Sequence, residues 1–513
     1  MKNNLIYFAG NKKNNEVKSL TDRNNNRFSR FFYFLTLPAT AIIAFMIAIT
    51  SLSTGCASNN QTDSFEVGVA IVDITPPIGH PQYRGESTGV ASPLYAKALI
   101  FRQGDNHGAL LVCDIIGIPR DLSRIVREQA SSKTGIDFQD ISISATHTHA
   151  GPRFSVQEYA DREAAGQLTQ EDRESYVGQL VENMIESIVL ANDRLQEVEP
   201  VAGIGHADDL SYNRRFLMTN GRVRFNPGYL NPDIVRPVGP IDPDVHFVMF
   251  RPKNQDNFNT SLTVFANHTD TQGGTEFHAD YPYHLQEHLK ELFGEQLISV
   301  FGNGTCGDLN HVDVTRPAEA TRRAWITEKI GRELAKAIKE AFPSARRLEP
   351  DFKVVSKTVY LPLQDYTEAE YEWAIDENAP PLYPDRPWLV GRRRGKIRSL
   401  EQIRQRDAIP PSASGEPWRL PLEIHVFRLD RETAIVTIPG EVLVELGLDL
   451  KKQSPFANTM VIELANATIS YVPTLRAFAE GDYEALNSRL APGSGEEMVD
   501  EAVRLLNDIF PGR

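Results

Sequence analysis

The chain has 513 residues, of which 41% are apolar, 24% charged and 9% aromatic, with 34 glycines and 32 prolines. That is ordinary globular composition with enough apolar mass for a large core, which excludes disordered, collagen-like and low-complexity chains. The formal charge is −14. Such a chain repels phosphate backbones, so nucleic acid is excluded as a partner unless a basic patch offsets that field.

In chain order, a basic leader comes first. Residues 1–55 hold seven Lys/Arg and two Asp/Glu, an apolar run covers Phe31 to Leu52, and Ser53-Thr54-Gly55-Cys56 follows. A positive leader, an apolar stretch and a small-residue junction predict a signal peptide over 1–56. The junction resembles a bacterial lipoprotein processing site, with Ser53 where leucine is usual. The expectation is an exported bacterial outer-membrane lipoprotein, periplasmic or surface-facing, touching the membrane only through a lipid on Cys56. An uncleaved anchor is the other reading, since the run is long enough to span a bilayer. Removing residues 1–55 leaves 47 basic against 66 acidic side chains, a formal −19. Residues 57–64 read as a short tether and 65–513 as one folded domain. Its two cysteines, Cys113 and Cys306, are able to pair in an oxidising compartment but cannot form a disulfide scaffold.

From Phe65 onward the pattern alternates. Strands are predicted at Val67–Ile74, Ala98–Phe101, Ala109–Ile115, Ile141–Ala145, Val245–Arg251, Leu262–Asn267, Leu297–Phe301, Leu422–Leu429 and Ala434–Ile438. Helices are predicted at Arg120–Lys133, Glu171–Arg194, Pro282–Phe293, Ala318–Ala341 and Glu497–Ile509. No fixed period recurs, which excludes solenoids and propellers. The fold class is α/β: layered mixed β-sheets flanked by helices in a single large domain. Residues 363–419 differ in texture, being Pro-rich and aromatic with Arg392-Arg393-Arg394-Gly395-Lys396. They read as an insertion, either a lid or a surface excursion.

The strongest chemical signal is Ser144-Ala145-Thr146-His147-Thr148-His149-Ala150-Gly151-Pro152. On an extended chain residues two apart share a side, so both imidazoles are expected to face one point at a strand's end. His268 and Glu441 also stand where apolar strands run out. Each alone reads as a cap, a surface carboxylate or a satisfied histidine. Three N/O ligands from three strand ends is how hydrolytic zinc is held. His284-Leu285-Gln286-Glu287-His288 has inverted zinc-protease spacing, but its histidines flank the apolar stripe Leu285, Leu289, Leu292, Phe293 and are expected on a solvated face. The loop Gly302–His311 lacks the Lys-Ser/Thr of a phosphate loop. Its glycines allow close approach to a ligand, and Cys306 reads as structural or disulfide-forming rather than as a nucleophile.

Taken together these segments resemble the catalytic domain of the neutral/alkaline non-lysosomal ceramidase family. The resemblance rests on Val69–Gly79 with Asp73-Ile74-Thr75-Pro76-Pro77, on Pro93–Ala98 and Cys113–Pro119, and on Ser144–Pro152. It continues through Asn213-Arg214-Arg215, Asn267-His268, Asp280-Tyr281-Pro282, Gly307-Asp308, Pro439-Gly440-Glu441 and Ser470–Thr474. The resemblance implies a zinc amidase in which His147, His268, Glu441 and Tyr471 hold Zn2+, His149 is the acid/base and Arg214 binds the substrate carbonyl. Thr468 stands where the family has the first of two tyrosines. Two departures bear on substrate: the family's C-terminal β-sandwich would follow a match that ends near Arg513, and Leu309-Asn310-His311 replaces a Ser-Pro-Asn stretch. The expected activity is cleavage of an N-acyl, ceramide-like amide of a lipid or small molecule by metal-activated water. The alternatives are the same site acting on an acylated sugar or anionic polysaccharide-derived substrate, a Cys306 acylase, and a surface lipoprotein that binds ligand without turnover. The sequence carries no signal for oligomeric state.

Overall fold

The computed structural model describes residues 64–318, 324–380, 387–411 and 415–512. The leader, Cys56 and all of the tether but Ser64 lie outside the described residues. Among those described, no helix is long and apolar enough to cross a membrane.

The larger sheet is mixed and has nine strands. Its first half contains β1 (Glu66–Asp73), β2 (Tyr95–Gln103), β3 (Asn106–Cys113) and, after helix α1 (Arg120–Thr134), β4 (Ile141–Ala145). After α2 (Tyr176–Asp193), the second half contains β5 (Gln196–His206), β6 (Asp244–Pro252), β7 (Thr260–Phe265) and, after α3 (Tyr281–Phe293), β8 (Ile298–Asn303). Helix α4 (Ala324–Ala341) follows, and Arg346–Arg347 pairs with β5. The order is β8-β7-β6-β5-β1-β2-β3-β4. Only β3–β4 and β7–β8 are parallel. The halves join through two register pairs alone, Glu66–Glu197 and Val67–Gln196. That short seam lets the sheet curl, and β8 at one edge lies close to β4 at the other.

The smaller sheet has order β9 (Lys353–Pro362), β10 (Arg419–Arg428), β11 (Thr433–Thr437), β12 (Asn458–Ile462), with β11–β12 parallel. Leu99, Phe101, Leu110, Val248, Leu262 and Val300 of the large sheet share one core with Phe427, Ile435, Met460 and Ile462 of the small one. Each sheet segment is then backed by its own helices. α1 and α2 cover the first half, and α3 and α4 the second. α7 (Val444–Gln453) and α8 (Ser494–Ile509) cover the small sheet. Strands buried on both faces read as continuous apolar runs, which is why they were visible in the sequence. Each Leu, Phe or Ile so enclosed contributes about 1.5–3 kcal/mol.

Several expectations change. The helix predicted over Glu171–Arg194 is broken at Ser175, because Thr169 and Ser175 each cap a separate helix start. Residues 363–419, read as an insertion, contain helices α5 (Glu368–Ile375) and α6 (Pro387–Arg406), for which no helix was predicted. Cys113 and Cys306 are buried free thiols and do not pair. The face carrying His284 and His288 is half-buried against α4: a Cβ on Gly331 would lie 2.6 Å from that of His284, and His288 sits 3.5 Å from Glu328. Leu292, expected in the stripe, is exposed.

Candidate metal centre

The ends of three parallel strand pairs meet at one place. β4 stops at Ala145, and His147 follows with φ of +67°. A non-glycine residue in the left-handed region is strained and is found where function fixes it. This turn brings His147 and His149 together, not the strand alternation expected from the sequence. The His147 N–H donates to Ile115 O at 3.1 Å and the His149 N–H to Thr269 O at 3.1 Å, tying the loop after β4 to the loop after β7. His268 lies three residues past β7, and Glu441 lies past β11 beyond Gly440, whose φ is +85°. Glu441 and Tyr471 are register partners in a short parallel bridge.

Among the described residues one set of side chains has the proximity to hold a metal ion, His147, His149 and His268, with ligand atoms within 4.8 Å of one another. His147 Nε2 is 3.3 Å from His149 Nε2. Glu441 Oε2 is 3.5 Å from His147 Nε2 and 3.6 Å from His268 Nε2. On their far sides, His147 Nδ1 is 2.6 Å from Ile116 O and His268 Nδ1 is 2.9 Å from Cys306 O. A carbonyl only accepts, so each Nδ1 carries the proton and each neutral Nε2 turns a lone pair toward the Glu441 carboxylate. A proton or a metal cation between them resolves that contact, and the convergence of two imidazoles on one carboxylate suits the metal. The donor set therefore fits a divalent metal, with imidazole and carboxylate oxygen suited to zinc-like ions.

With no ion bound, the charges of this cluster act strongly on one another. Burial works against charge on Glu441, yet His147 and His268 hold its carboxyl well below the usual range. Burial also works against charge on His147, but Glu441 outweighs it and the net direction is upward. His268 is pushed down to about 4 by burial and then by Arg214. Burial, His147 and His268 hold His149 well below its ordinary value. Burial and the charge of Glu441 push Tyr471 well above the phenol range, so it stays protonated at neutral pH.

Arg214 is fixed rather than free. Its Nε donates to Glu484 at 3.0 Å, its Nη2 to Gly307 O at 2.6 Å, and its Nη1 lies 3.3 Å from His268 Nε2. Its guanidinium also sits 5.5 Å from the Tyr471 ring centre. His149 differs from the other two histidines. It is 17% exposed where they are 3–4%, and its Nδ1 faces Asp270 at 3.8 Å; with His268, Arg214 and Tyr471 it borders a cavity of about 810 Å³. All six residues singled out in the sequence thus gather here. The sequence missed Glu463, which accepts from Cys306 Sγ at 3.1 Å and from the Val442 N–H at 2.6 Å; the strand before it, Asn458–Ile462, was not predicted, so no strand end marked it. Burial and Glu463 push the Cys306 thiol well above its ordinary value, which removes it as a nucleophile. Gly307 approaches backbone, not ligand: a Cβ there would lie 2.6 Å from Glu441 O.

No protein-family model matches the chain, and no curated protein matches it. Solved structures do. The fold is similar to that of neutral ceramidase from Pseudomonas aeruginosa, with a TM-score of 0.63 at 17% identity over 87% of this chain and 75% of that one. It is similar also to a ceramidase complexed with C2, with a TM-score of 0.63 at 18% identity over 88% of this chain and 76% of that one. At such low identity the likeness is one of architecture, and this chain shares the fold of neutral ceramidase.

Proposed function

We propose that this chain is a zinc-dependent hydrolase that cleaves an N-acyl, ceramide-like amide, exported and anchored through a lipid on Cys56. The observation that carries the reading is the meeting of two Nε2 lone pairs with the Glu441 carboxylate at 3.5–3.6 Å. His147, His268 and Glu441 hold the metal, with Tyr471 completing the set. When bound, the ion polarises the carbonyl and lowers the pKa of water to about 7. Export is supported by the basic and apolar flanks before Cys56.

His149 lacks a carbonyl clamp on its Nδ1 and opens to the cavity, which suits proton transfer better than ligation. Burial leaves it neutral at the start, so it takes the proton of the attacking water and returns it to the leaving nitrogen. A C–O bond forms and the C–N bond breaks, giving a carboxylate and an amine. Arg214, held on its Nε and Nη2 sides by Glu484 and Gly307, donates from Nη1 to the carbonyl oxygen as negative charge develops there. The polar cavity wall, with Asn220, Asn226 and Asn231, favours an acylated sugar as the second reading.

The test is an assay of purified, zinc-loaded protein on fluorescent ceramide alongside N-acylated amino sugars. Hydrolysis of either class is expected, abolished by chelation and restored by zinc. His149→Ala should keep its metal and lose roughly 10²–10⁴-fold in kcat. Zinc-loaded protein that binds these amides and hydrolyses none of them is a binding module, and the hydrolase reading fails.

A further inference from the structure

The cavity over the histidines has a charge that the rest of the molecule does not. The protein carries a formal −14, yet Arg214, Arg224 and Arg392 all border this cavity, against Asp233 and Asp270. Arg214 is committed to Glu484, and Asp270 is committed to Arg84 at 2.6 Å. Asp233 is exposed at the outer rim and bonds Thr219 at 3.2 Å. Arg224 and Arg392 have no ion-pair partner among the described residues. Two guanidinium groups without a salt bridge thus stand against one unpaired carboxylate, Asp233, which leaves a net positive charge in the approach to the site.

Arg392 comes from the basic run on α6, and its neighbours show what a structural arginine does there. Arg393 pairs with Glu370 at 2.5 Å, and Arg394 donates to the carbonyls of Asp376 at 2.5 Å and Ala379 at 2.9 Å. Lys396 donates to Gln364 at 2.5 Å. Those three bind α6 to adjacent chain, so the run as a whole does not line the cleft. Arg392 instead lies over the Tyr483 ring, 4.6 Å from its centre. Tyr483 stacks on Phe225 with ring centres 4.4 Å apart, and Arg224, the residue before Phe225, also borders the cavity. A guanidinium on an aromatic face is held in plane while its N–H edge stays open, the geometry that takes an oxyanion in two parallel hydrogen bonds.

We propose that Arg392 and Arg224 form a subsite for an oxyanion group (carboxylate, sulfate or phosphate) on the amine part of the substrate. The inference rests on the amide-hydrolase reading and narrows it to acyl amides bearing a negative charge. In a molecule of net negative charge, two guanidinium groups without a salt bridge on one cavity wall select such ligands by field as well as by contact.

The test uses matched pairs with the full-length, zinc-loaded protein: ceramide with ceramide 1-phosphate, and N-acetylglucosamine with its 6-sulfate and 6-phosphate. Binding is measured by calorimetry and turnover as kcat/KM. The charged member of at least one pair should be favoured about tenfold, the factor that about 1.4 kcal/mol makes. Arg392→Gln and Arg224→Gln should each cut that preference about tenfold, and Arg392→Lys should restore part of it, with thermal unfolding confirming that all fold. The pair that responds tells a lipid head group from a sugar. No preference in either pair, or a preference that both glutamine variants leave intact, overturns the subsite. Turnover without preference removes the subsite and leaves the hydrolase reading. A preference in binding that the glutamine variants abolish, without turnover of any amide, supports the subsite and removes the hydrolase reading.

Discussion

Glu463 acts at one remove on both sides of the site. It is fully buried, burial holds its carboxyl well above the usual range, and its two oxygens fix Cys306 and Val442. Cys306 supplies the carbonyl that orients His268, and Val442 adjoins Glu441. With the acid held in its neutral form, glutamine keeps a carbonyl oxygen for the Val442 N–H and can turn its amide N–H to Cys306 Sγ. Glu463→Gln should therefore retain metal, whereas Glu463→Ala orphans the Val442 N–H and lets both ligands drift. Loss of such a support weakens metal binding by about 10–100-fold. Metal titration of the two variants checks this, and equal affinity in both would deny Glu463 a positioning role. Spacing brought His147 and His149 forward from the sequence, and placement at strand ends His268 and Glu441. Arg214 and Tyr471 came only from the family resemblance, since an arginine or tyrosine in a loop has no periodicity to read.

At the scale of elements, strand ends make the site and close backbone approach sets its dimensions. Gly307 lets the loop after β8 press on the Glu441–Val442 backbone, with room for no Cβ. Gly307→Ala should destabilise the fold by about 1–3 kcal/mol through overpacking and lower metal occupancy, read by denaturant unfolding and metal analysis. A variant as stable and as fully loaded as the parent would show that the loop yields freely. The elements legible in the sequence were those enclosed on both faces, such as β3, β4 and β7. Of those missed, β12 is buried throughout but opens on Asn458 and Thr459, while the longer strands have mixed patterns. β5 carries Pro200, Gly203 and Gly205, and Gly203 is required because a Cβ would lie 2.5 Å from the Phe247 ring. β9 alternates exposed Lys353, Lys357 and Tyr360 with buried Val354, Val359 and Leu361. Neither reads as a buried strand until its partners are known.

For the whole molecule, three helix-backed sheet segments around one core make stability depend on imidazoles that stay neutral. Burial pushes His425 down to about 3 and His278 to about 4. Each accepts a hydrogen bond on Nδ1, from Asn466 Nδ2 at 3.3 Å and from the Asp280 N–H at 2.7 Å. Protonation would break both bonds. These folded pKa values lie below the unfolded value of about 6.5. Their stabilisation is present above that pH and lost as pH falls toward 4 and then 3, because the unfolded chain binds the extra protons. The melting temperature should fall steadily below about pH 6, with a shallower slope in His425→Gln; a flat profile would contradict the burial of these rings. The αβ layering was legible because it follows from alternating elements, while the curl that joins the edges of the large sheet was not, because it depends on a two-residue seam. That curl is what carries His147 and His268 to the same point. The most direct measurement is anomalous scattering from crystals of the zinc-soaked protein. The account predicts one ion about 2.0–2.2 Å from His147 Nε2, His268 Nε2 and a Glu441 oxygen, lost in His147→Ala. Crystals without an ion there, or with the ion unmoved in that variant, would contradict it.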